Sequence, residues 1–282
     1  MIGQNVAVVT GSSNGIGLEI ALKLAKNGFI TYATMRNLGK SKELENRIGD
    51  DKQLSSLIKF VQLDVTNEPS VKKAIETVVN ESKRIDMLVN NAGYGLTGAL
   101  EDISIHEFKD QFETNVFGLI RTTQEVIPIM RKQNSGIIVN ISSGLGRFGI
   151  GTSSAYVSSK FAVEGLTESM SYELEPFGIR TILVEPGVIK TNFINSAITA
   201  KKSLDPNSPY FHLIERMKNG MSKFIENAAE PELVANVVIN AIKDKNPKIR
   251  YLAGKDIEEI LGFKNKVSDE EFHNMLKQMA TI

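Results

Sequence analysis

Cysteine is absent from this 282-residue chain, and histidine is scarce. Without cysteine the chain forms no disulfide and offers neither a thiol nucleophile nor a zinc–thiolate site. The three histidines, His106, His212 and His273, lie far apart and in no ligand-like spacing, so the sequence predicts no metal site. The lack of cysteine fits a reducing compartment, and we expect a cytoplasmic protein.

Net charge and long apolar runs are absent as well. The 33 basic side chains of Lys and Arg balance 33 Asp and Glu, which gives no general attraction to nucleic acid or to an anionic membrane. No apolar run approaches the roughly 20 residues of a membrane span. Residues 1–5 lack the basic region and apolar core that begin a signal peptide. We therefore expect neither a nucleic-acid partner nor a membrane span.

What the chain contains is a regular alternation of apolar strands and amphipathic helices. Strands that alternate with helices pair in parallel through right-handed crossovers, and unbroken apolar strands indicate helices on both faces of the sheet. The sequence thus predicts one α/β domain with a doubly wound parallel sheet. The predicted strands are 6–10, 29–35, 57–63, 87–91, 137–141, 180–184 and 249–253, and the predicted helices are 16–27, 68–82, 104–132, a helix ending near 175, and 230–244.

Two segments depart from this alternation. Residues 189–229 are longer than an ordinary connection and carry aromatic residues and methionines of their own, which is typical of a lid or a binding loop. The tail, 255–282, has a mixed helical character. We expect the substrate pocket at the carboxyl ends of the strands, against the lid.

A glycine-rich turn, TGSSNGIG, lies between the first strand and the first helix. Its glycines, Gly11, Gly15 and Gly17, allow a tight turn and let a pyrophosphate approach the helix N-terminus. The other candidate contacts in this turn are Ser13, Asn14 and Ile16. The alternative interpretation is a glycine-rich turn that binds no ligand.

The ends of the second and third strands indicate which dinucleotide would bind. The second strand ends in YATMRN, where no acidic residue is present to bind a ribose hydroxyl, and Arg36 offers a guanidinium suited to phosphate. We therefore predict NADP(H) over NAD(H). Asp64 and Val65, after the third strand, are candidates to contact the adenine. Alternatively, Arg36 is a solvated surface residue and Asp64 belongs to a turn.

Tyr156 and Lys160 are the candidates for proton transfer. Four residues apart on a predicted helix, they lie on one face about 6 Å apart along the axis. An ammonium so close favours the phenolate, so we predict that the pKa of Tyr156 falls towards neutrality. Ser143, at the end of a strand, is placed to hold a carbonyl or alcohol oxygen. The alternative is an ordinary surface pair on an amphipathic helix.

Taken in order, these motifs resemble those of the short-chain dehydrogenase/reductase family. The match to the family covers about residues 5–193 and is weaker to residue 253, and within the family the closest similarity is to the branch of 17β-hydroxysteroid and retinol dehydrogenases. The resemblance implies a Rossmann-type sheet of about seven strands with a substrate lid after strand six. The matching stretches are TGSSNGIG, DV at 64–65, NNAG at 90–93, Asn115, Ser143, YVSSK at 156–160 and PGVIKT at 186–191.

The resemblance also implies roles for these residues. Tyr156 is the general acid for carbonyl reduction, Lys160 lowers its pKa and binds the nicotinamide ribose, and Ser143 orients the substrate oxygen. Ser143 is preferred to Ser142 because the family places its serine thirteen residues before the tyrosine. Asn115 holds a water that links Lys160 to solvent. The implied further cofactor contacts are Asn91, Ala92, Gly93, Pro186, Gly187, Val188 and Thr191.

The predicted function is an NADP(H)-dependent oxidoreductase that interconverts a carbonyl and an alcohol. Its candidate substrate walls are apolar and suit a lipophilic ketone, aldehyde or alcohol, although they can equally pack against the protein itself. Two alternatives stay open: a catalytically idle nucleotide-binding regulator, and a dehydratase or epimerase. Family members commonly pair through helices at about 106–132 and 152–175, so we expect a homodimer or homotetramer. The candidate walls are Tyr94, Leu96, Leu145, Phe148 and Phe193.

Overall fold

The computed structural model describes residues 4–195, 197–226 and 228–281, with the backbone alone at 194–195, 221–226 and 279–281. Residues 196 and 227 of the predicted lid and residue 282 of the predicted tail lie outside the described residues, as do residues 1–3. None of the helices in the described chain is both long enough and apolar enough to span a membrane.

Seven of the strands formed by the described residues build one parallel sheet, in the order β3-β2-β1-β4-β6-β7-β9. The remaining two, β5 and β8, form a separate parallel pair. The strands are β1 (Val6–Val9), β2 (Ile30–Met35), β3 (Ile58–Gln62), β4 (Met87–Asn90), β5 (Leu96–Thr97), β6 (Gly136–Ile141), β7 (Ile179–Pro186), β8 (Ile198–Thr199) and β9 (Arg250–Ala253).

Helices cover both faces of the sheet. They are α1 (Gly15–Lys26), α2 (Lys42–Ile48), α3 (Lys52–Leu57), α4 (Glu68–Ser82), α5 (Ile105–Phe112), α6 (Gly118–Gln133), α7 (Ser154–Leu174), α8 (Asn192–Asn195), α9 (Phe211–Glu226), α10 (Pro231–Lys243), α11 (Lys255–Lys264) and α12 (Asp269–Thr281). The predicted α/β class and seven-stranded, doubly wound sheet are confirmed.

The strand β1 shows how the core divides. All four of its side chains are buried, and successive side chains of a strand point to opposite faces. Ala7 and Val9 belong to the apolar cluster formed with α1 and α10. Val6 and Val8 belong to the cluster formed with α4, α6 and the C-terminal part of α7. Burial on both faces is why the strands read as continuous apolar runs.

The structure adds detail that the sequence pattern did not resolve. The predicted helix 104–132 is α5 and α6 joined by one turn of π-helix, Glu113–Phe117. The stretch between β2 and β3 folds into the short helices α2 and α3, which were not predicted. The tail folds as α11 and α12, whose apolar side chains form a cluster with Phe148.

The segment predicted as a lid is attached to the body at one end. Its strand β8 pairs in parallel with β5, so that Leu96 lies beside Ile198. Farther along, the buried carboxylate of Asp102 accepts hydrogen bonds from Ser203 (3.0 Å) and Ser208 (2.6 Å). These contacts hold residues 198–208 against the loop that precedes α5.

A belt of buried amides and hydroxyls joins the central strands to the helices. Asn90 and Asn140 are register partners on β4 and β6, and Asn90 Nδ2 donates to Asn140 Oδ1 (2.9 Å) and to Thr123 Oγ1 (3.0 Å). Asn140 Nδ2 donates in turn to Thr167 Oγ1 on α7 (2.8 Å). The belt fixes α6 and α7 on the sheet below its carboxyl edge.

We predict that Asn140→Ala lowers the free energy of unfolding by about 1–3 kcal/mol, because it leaves the buried amide of Asn90 and the hydroxyl of Thr167 short of a partner. Urea denaturation followed by circular dichroism measures the change. Asn46→Ala, at an exposed position on α2, is the control and should change stability by no more than about 0.5 kcal/mol. Equal stabilities of the two variants would contradict a structural role for the belt.

Candidate active site

A cleft of about 790 Å³ opens at the carboxyl edge of the sheet, where β1, β2, β3 and β4 end. Parallel α/β sheets bind ligands at this edge, and the volume suits a drug-sized or cofactor-sized molecule. The predicted cofactor residues that line it are Gly11, Ser13, Asn14, Gly15, Ile16, Gly17, Arg36, Asp64, Val65, Asn91, Ala92, Gly93 and Thr191. The sequence analysis missed other lining residues, namely Met35, Asn37, Lys40, Leu63, Thr66, Asp110, Glu113, Thr114 and Ile198.

The glycine-rich turn is packed too tightly for side chains. Gly11 has φ +68, and a Cβ there would meet the Ala92 Cα at 2.9 Å. A Cβ on Gly17 would collide with Asn91 Nδ2 and with the Gly11 carbonyl. Asn91 Nδ2 itself donates to the carbonyls of Thr10 (2.9 Å) and Gly11 (3.0 Å). The end of β4 thus holds the turn in shape, and the glycines leave its backbone open to the cleft.

The N-terminus of α1 faces this cleft and suits an anion. Its first turn holds no acidic residue, and the side chain of Asn14 makes no capping hydrogen bond within the described chain. The first amides of a helix carry partial positive charge, which the macrodipole reinforces. A phosphate group is the kind of ligand that this arrangement binds.

Cationic side chains stand at the far end of the cleft, after β2. Arg36 is exposed and lines the cleft together with Lys40. Neither side chain forms an ion pair with another described residue. The backbone carbonyl of Arg36 accepts a hydrogen bond from the Gln62 side chain (3.1 Å). Asp64 lies nearby, where its Oδ1 accepts from the Thr66 amide and hydroxyl. It is therefore a turn residue as well as part of the cleft wall.

Ser143, Tyr156 and Lys160 come together where β6 ends and α7 begins. Ser143 follows β6, and its Oγ accepts from the Leu145 amide (3.1 Å). The same side chain forms a hydrogen bond with the Tyr156 hydroxyl. Lys160 Nζ donates to the Ile141 carbonyl (2.9 Å) and lies 5.7 Å from the centroid of the Tyr156 ring. The three predicted side chains thus form one cluster, and none of them is among the residues that line the cleft.

The predicted fall in the pKa of Tyr156 is wrong for the protein alone. Burial raises the pKa of Tyr156 to about 12, although the hydrogen bond from Ser143 opposes the rise. Burial also lowers the pKa of Lys160 to about 8, against the opposing charge of Glu164. Removal from water disfavours both charged forms, and the ammonium is bonded to a backbone carbonyl instead of the phenol. Spacing along a helix does not reveal this burial.

Asn115 lies on the π-helical turn, with its side chain turned into the protein. Its Oδ1 accepts from the Tyr94 amide (3.1 Å), and its Nδ2 donates to the Tyr94 carbonyl (3.0 Å) and to Ser159 Oγ (3.2 Å). Asn115 therefore anchors the loop after β4 to α7, one residue from Lys160. The water-mediated role implied by the family resemblance stays a prediction.

Ser142 and Ser143 have different surroundings. Ser142 Oγ is buried and has no hydrogen-bond partner among the described residues. Ser143, by contrast, contacts Tyr156. Both serines follow β6, and only Ser143 lies beside the phenol, so the choice of Ser143 as the catalytic serine stays a prediction.

Two predicted substrate walls line the cleft near Tyr156, and three are elsewhere. The Phe193 ring packs on that of Tyr156, with centroids 5.7 Å apart, and Phe193 and Tyr94 both line the cleft. Phe148, in contrast, is buried against the C-terminal helices with its ring edge-on to Phe272, and Leu145 packs on the same cluster. Leu96, on β5, is buried in a cluster with Ile103, Ala155 and Ala200. The apolar tail, whose placement the sequence did not show, occupies the surface predicted to meet substrate.

The segment after β7 is held by a residue that sequence reasoning missed. Asp256, at the start of α11, accepts a hydrogen bond from the Val188 amide (2.7 Å), and its carboxylate packs on Gly187. Pro186, Gly187 and Val188 do not line the cleft described above, whereas Thr191 does, against Gly15. A carboxylate in the first turn of a helix is stabilising whatever else it contacts. Its presence in the sequence therefore did not indicate the contact with Val188.

The described residues contain no cluster of three or more His, Asp and Glu that could hold a metal ion.

Comparison with known sequences gives consistent relatives. A family model described as short chain dehydrogenase matches residues 5–202. The "Uncharacterized oxidoreductase YusZ" of Bacillus subtilis is 37% identical over 98% of this chain and 98% of that protein. The "3-ketodihydrosphingosine reductase" of Bacteroides thetaiotaomicron is 35% identical, covering 93% and 91%. The human "Retinol dehydrogenase 8" is also 35% identical, covering 86% and 79%.

Solved structures agree with these relatives. A short-chain dehydrogenase from Streptomyces avermitilis superposes with a TM-score of 0.82 at 29% identity, covering 98% of this chain and 97% of that one. A structure described as ElxO with NADP bound has a TM-score of 0.72 at 29% identity, covering 89% and 97%.

The buried ammonium predicts a pH-dependent stability. Because the pKa of Lys160 in the folded protein is lowered to about 8 from the unfolded value near 10.5, its stabilising contribution is complete above 10.5 and is lost as the pH falls through 8. Raising the pH from 8 to 9.5 should therefore stabilise the wild type relative to Lys160→Met by on the order of 1–2 kcal/mol. Urea denaturation at each pH measures this difference, and the exposed Lys72→Met is the control. A gap between wild type and Lys160→Met that does not change with pH would contradict it.

Proposed function

Because the chain belongs to the short-chain dehydrogenase family, as its motifs predict, we propose that it is an NADP(H)-dependent oxidoreductase that interconverts a carbonyl and an alcohol on a lipophilic small molecule. Family membership makes it an NAD(P)-dependent enzyme. The preference for NADP(H), the residue roles and the substrate class are the proposal. One observation carries it: Ser143, Tyr156 and Lys160 meet beside a cleft that a dinucleotide fits.

The cleft offers places for the pyrophosphate and the adenine of a nicotinamide dinucleotide. The uncapped N-terminus of α1 and the open backbone at Gly11 and Gly17 would hold the pyrophosphate. Asp64 and Val65 line the end that would take the adenine, and Thr191 lies against Gly15 on the opposite wall. When bound, the cofactor supplies or accepts the hydride, and the protein provides position and electrostatics.

Two cations support the preference for NADP(H). Arg36 and Lys40 both line the cleft, and no acidic residue occurs at 35–40 to bind a ribose hydroxyl and repel a 2′-phosphate. A guanidinium can bind a phosphate through two hydrogen bonds, with the ammonium as a second charge. A structural relative at 29% identity was solved with NADP bound.

Tyr156 is the proton donor in the proposed reduction. With its pKa raised to about 12, the phenol carries its proton throughout the neutral range. It can pass this proton to the alkoxide oxygen that develops as the carbonyl is reduced, while the Ser143 hydroxyl holds the same oxygen. Below pH 8 the Lys160 ammonium is present to stabilise the phenolate left behind. In alcohol oxidation the same groups act in reverse.

The walls near Tyr156 favour a lipophilic substrate. Phe193 packs on its ring and shares the cleft lining with Tyr94 and Ile198. Apolar and aromatic walls with a few placed polar groups are typical of sites for small organic molecules. Two relatives, each 35% identical, are named for retinol and for 3-ketodihydrosphingosine, both of which carry a long hydrocarbon portion.

We also propose a homodimer or homotetramer. Large side chains are exposed along the helices that the family resemblance assigns to subunit contacts: Phe117 is 48% exposed, Phe161 46% and Tyr172 78%. Aromatic residues are enriched at protein interfaces, so these positions support the pairing of α6 and α7 between subunits.

The experiment that tests the function measures NADPH consumption with steroidal, retinoid, long-chain aliphatic and sugar carbonyls. We expect turnover with at least one lipophilic carbonyl, and loss of on the order of 100-fold or more of kcat in Tyr156→Phe. NADPH binding, followed by its fluorescence, should stay within a few-fold of wild type. Tyr172→Phe, at an exposed position on the same helix, is the control and should keep full activity.

Any of three results would contradict this assignment. Full activity of Tyr156→Phe would exclude the proposed proton donor. Tight NADPH binding without turnover of any carbonyl or alcohol would favour a nucleotide-binding regulator, whereas conversion of a substrate with no net change in NADPH would favour a dehydratase or epimerase.

We predict that the wild type prefers NADPH to NADH by tens-fold or more in kcat/KM, because a charge-assisted hydrogen bond to phosphate contributes about 1.5–3 kcal/mol. Arg36→Ala should reduce the preference to a few-fold, and Lys40→Ala should reduce it by a smaller factor. Lys72→Ala removes a charge outside the cleft lining and should leave the preference unchanged. Equal use of both cofactors by the wild type would refute the assignment.

A further inference from the structure

A group of buried charges lies one helical turn beyond Lys160. Glu164 and Glu185 have side chains only 6% and 0% exposed. Glu164 belongs to α7, which carries Tyr156 and Lys160, whereas Glu185 lies near the end of β7. None of the catalytic roles proposed above uses either carboxyl group. Buried carboxylates are costly unless they are paired or protonated, so their partners decide their state.

Two arginines bind this pair from different parts of the fold. Arg250 on β9 places its Nε 2.9 Å from Glu164 Oε2 and 3.1 Å from Glu185 Oε1. Arg147, at the end of the loop that begins at Ser143, places its Nη1 3.2 Å from the same oxygen of Glu185. Arg250 Nη1 also binds the half-exposed Glu168 (2.8 Å).

The arginines leave one oxygen of each buried carboxyl unsatisfied. Glu164 Oε1 and Glu185 Oε2 are buried and find no hydrogen-bond donor among the described residues. The two carboxyl groups meet at Arg250 Nε, which lies 2.9 Å from one and 3.1 Å from the other. Two buried carboxylates so close do not both ionise readily. A proton on one of them would supply a donor that the pair lacks. Consistent with this, burial and the charge of Glu164 raise the pKa of Glu185 to about 7, although Arg147 opposes the rise.

The pair connects the two segments that carry the active site. Gly146 packs directly against Glu164, since a Cβ at that glycine would lie 2.9 Å from Glu164 Cγ and 3.0 Å from Ser142 Oγ. The loop 143–147 is therefore fixed to Glu164 at Gly146 and to Glu185 at Arg147. Ser143 at one end of this loop and Tyr156 on α7 are placed relative to each other through these contacts.

We propose that Glu164 and Glu185 share one proton and act as positioning residues, which hold the Ser143 loop against α7 and set the charge next to Lys160. The proposal rests on the proposed function for its catalytic consequence, but not for the shared proton. The titratable and charged groups around the pair are Lys160, Glu164 and Glu168 on α7, Arg147 after β6, Glu185 on β7 and Arg250 on β9.

The link to Lys160 is electrostatic. The negative charge of Glu164 raises the pKa of Lys160, against the lowering caused by burial. A shared proton reduces that negative charge, and its loss restores it. The state of the pair therefore influences how far the ammonium persists on the alkaline side of neutrality. In this way a buried acid pair that does not line the cleft affects the proposed proton donor.

The shared proton is tested in the wild type by infrared spectroscopy at pH 6, where ordinary carboxyl groups are ionised. We expect one protonated-carboxyl band that disappears as the pH rises through about 7 and is absent from Glu185→Gln. Glu168, at an exposed position, binds the same arginine. Glu168→Gln is therefore the matched control and should keep the band. A wild-type spectrum without the band would overturn the proposal. The measurement requires neither substrate nor cofactor.

Stability provides a second readout that is independent of activity. A pKa of Glu185 that is raised in the folded state stabilises the protein below pH 4.5, and this contribution is lost as the pH rises to about 7. The urea midpoint of the wild type should therefore fall relative to that of Glu185→Gln between pH 5 and pH 8. A difference that stays constant over this range would show a merely structural role and would refute the shared proton.

The consequence for catalysis is tested with Glu164→Gln. Without the carboxylate one turn from Lys160, the alkaline limb of the kcat/KM profile for carbonyl reduction should move to lower pH by about half a unit, an approximately threefold loss on that limb. Glu168→Gln should leave the limb in place. If the alkaline limb of Glu164→Gln is unshifted while the wild type shows the infrared band, the pair does not influence Lys160. Its role would then be limited to holding the loop. Absence of all turnover with the band intact would count against the proposed function and not against the shared proton.

Discussion

The rest of the site depends on the removal of one ammonium group from water. Lys160 is nearly buried and is held by a single backbone carbonyl at the end of β6. This bond attaches α7 to the sheet at the level of Ser143, which places the phenol of Tyr156 beside the serine hydroxyl. Burial also makes neighbouring charges strong, because they act through a medium of low dielectric constant. Burial of Tyr156 raises the pKa of its phenol, and burial of Lys160 lowers the pKa of its ammonium. The same burial strengthens the influence of Glu164 on Lys160.

Much of the fold and part of the site could be read from the sequence. The strands were recognisable because each is buried on both faces and therefore apolar throughout, and the alternation with helices determined their parallel pairing. The turn TGSSNGIG was recognisable because tight approach of Asn91 and Ala92 to Gly11 and Gly17 tolerates no side chain. Local constraints of this kind leave a local trace in the sequence.

The errors concern contacts between residues far apart in the chain. The pKa of Tyr156 depends on burial by surrounding elements and not on the four-residue spacing to Lys160. Phe148 was assigned to the substrate wall, but it packs on Phe272, more than a hundred residues later. Asp256 reaches back to the Val188 amide, and a helix-start aspartate carries no sign of that partner. The helices α2 and α3 were missed because each is shorter than the window over which helical periodicity is read.

The placement of the C-terminal helices has a consequence for limited proteolysis. Strand β9 completes the edge of the sheet beside β7, Arg250 on that strand binds Glu164 and Glu185, and Asp256 and Phe272 contact the segments after β7 and β6. Every residue that lines the cleft precedes this strand in the chain. Cleavage between α10 and β9 would therefore spare the lining of the cleft and remove the groups that position the Ser143 loop and the segment after β7.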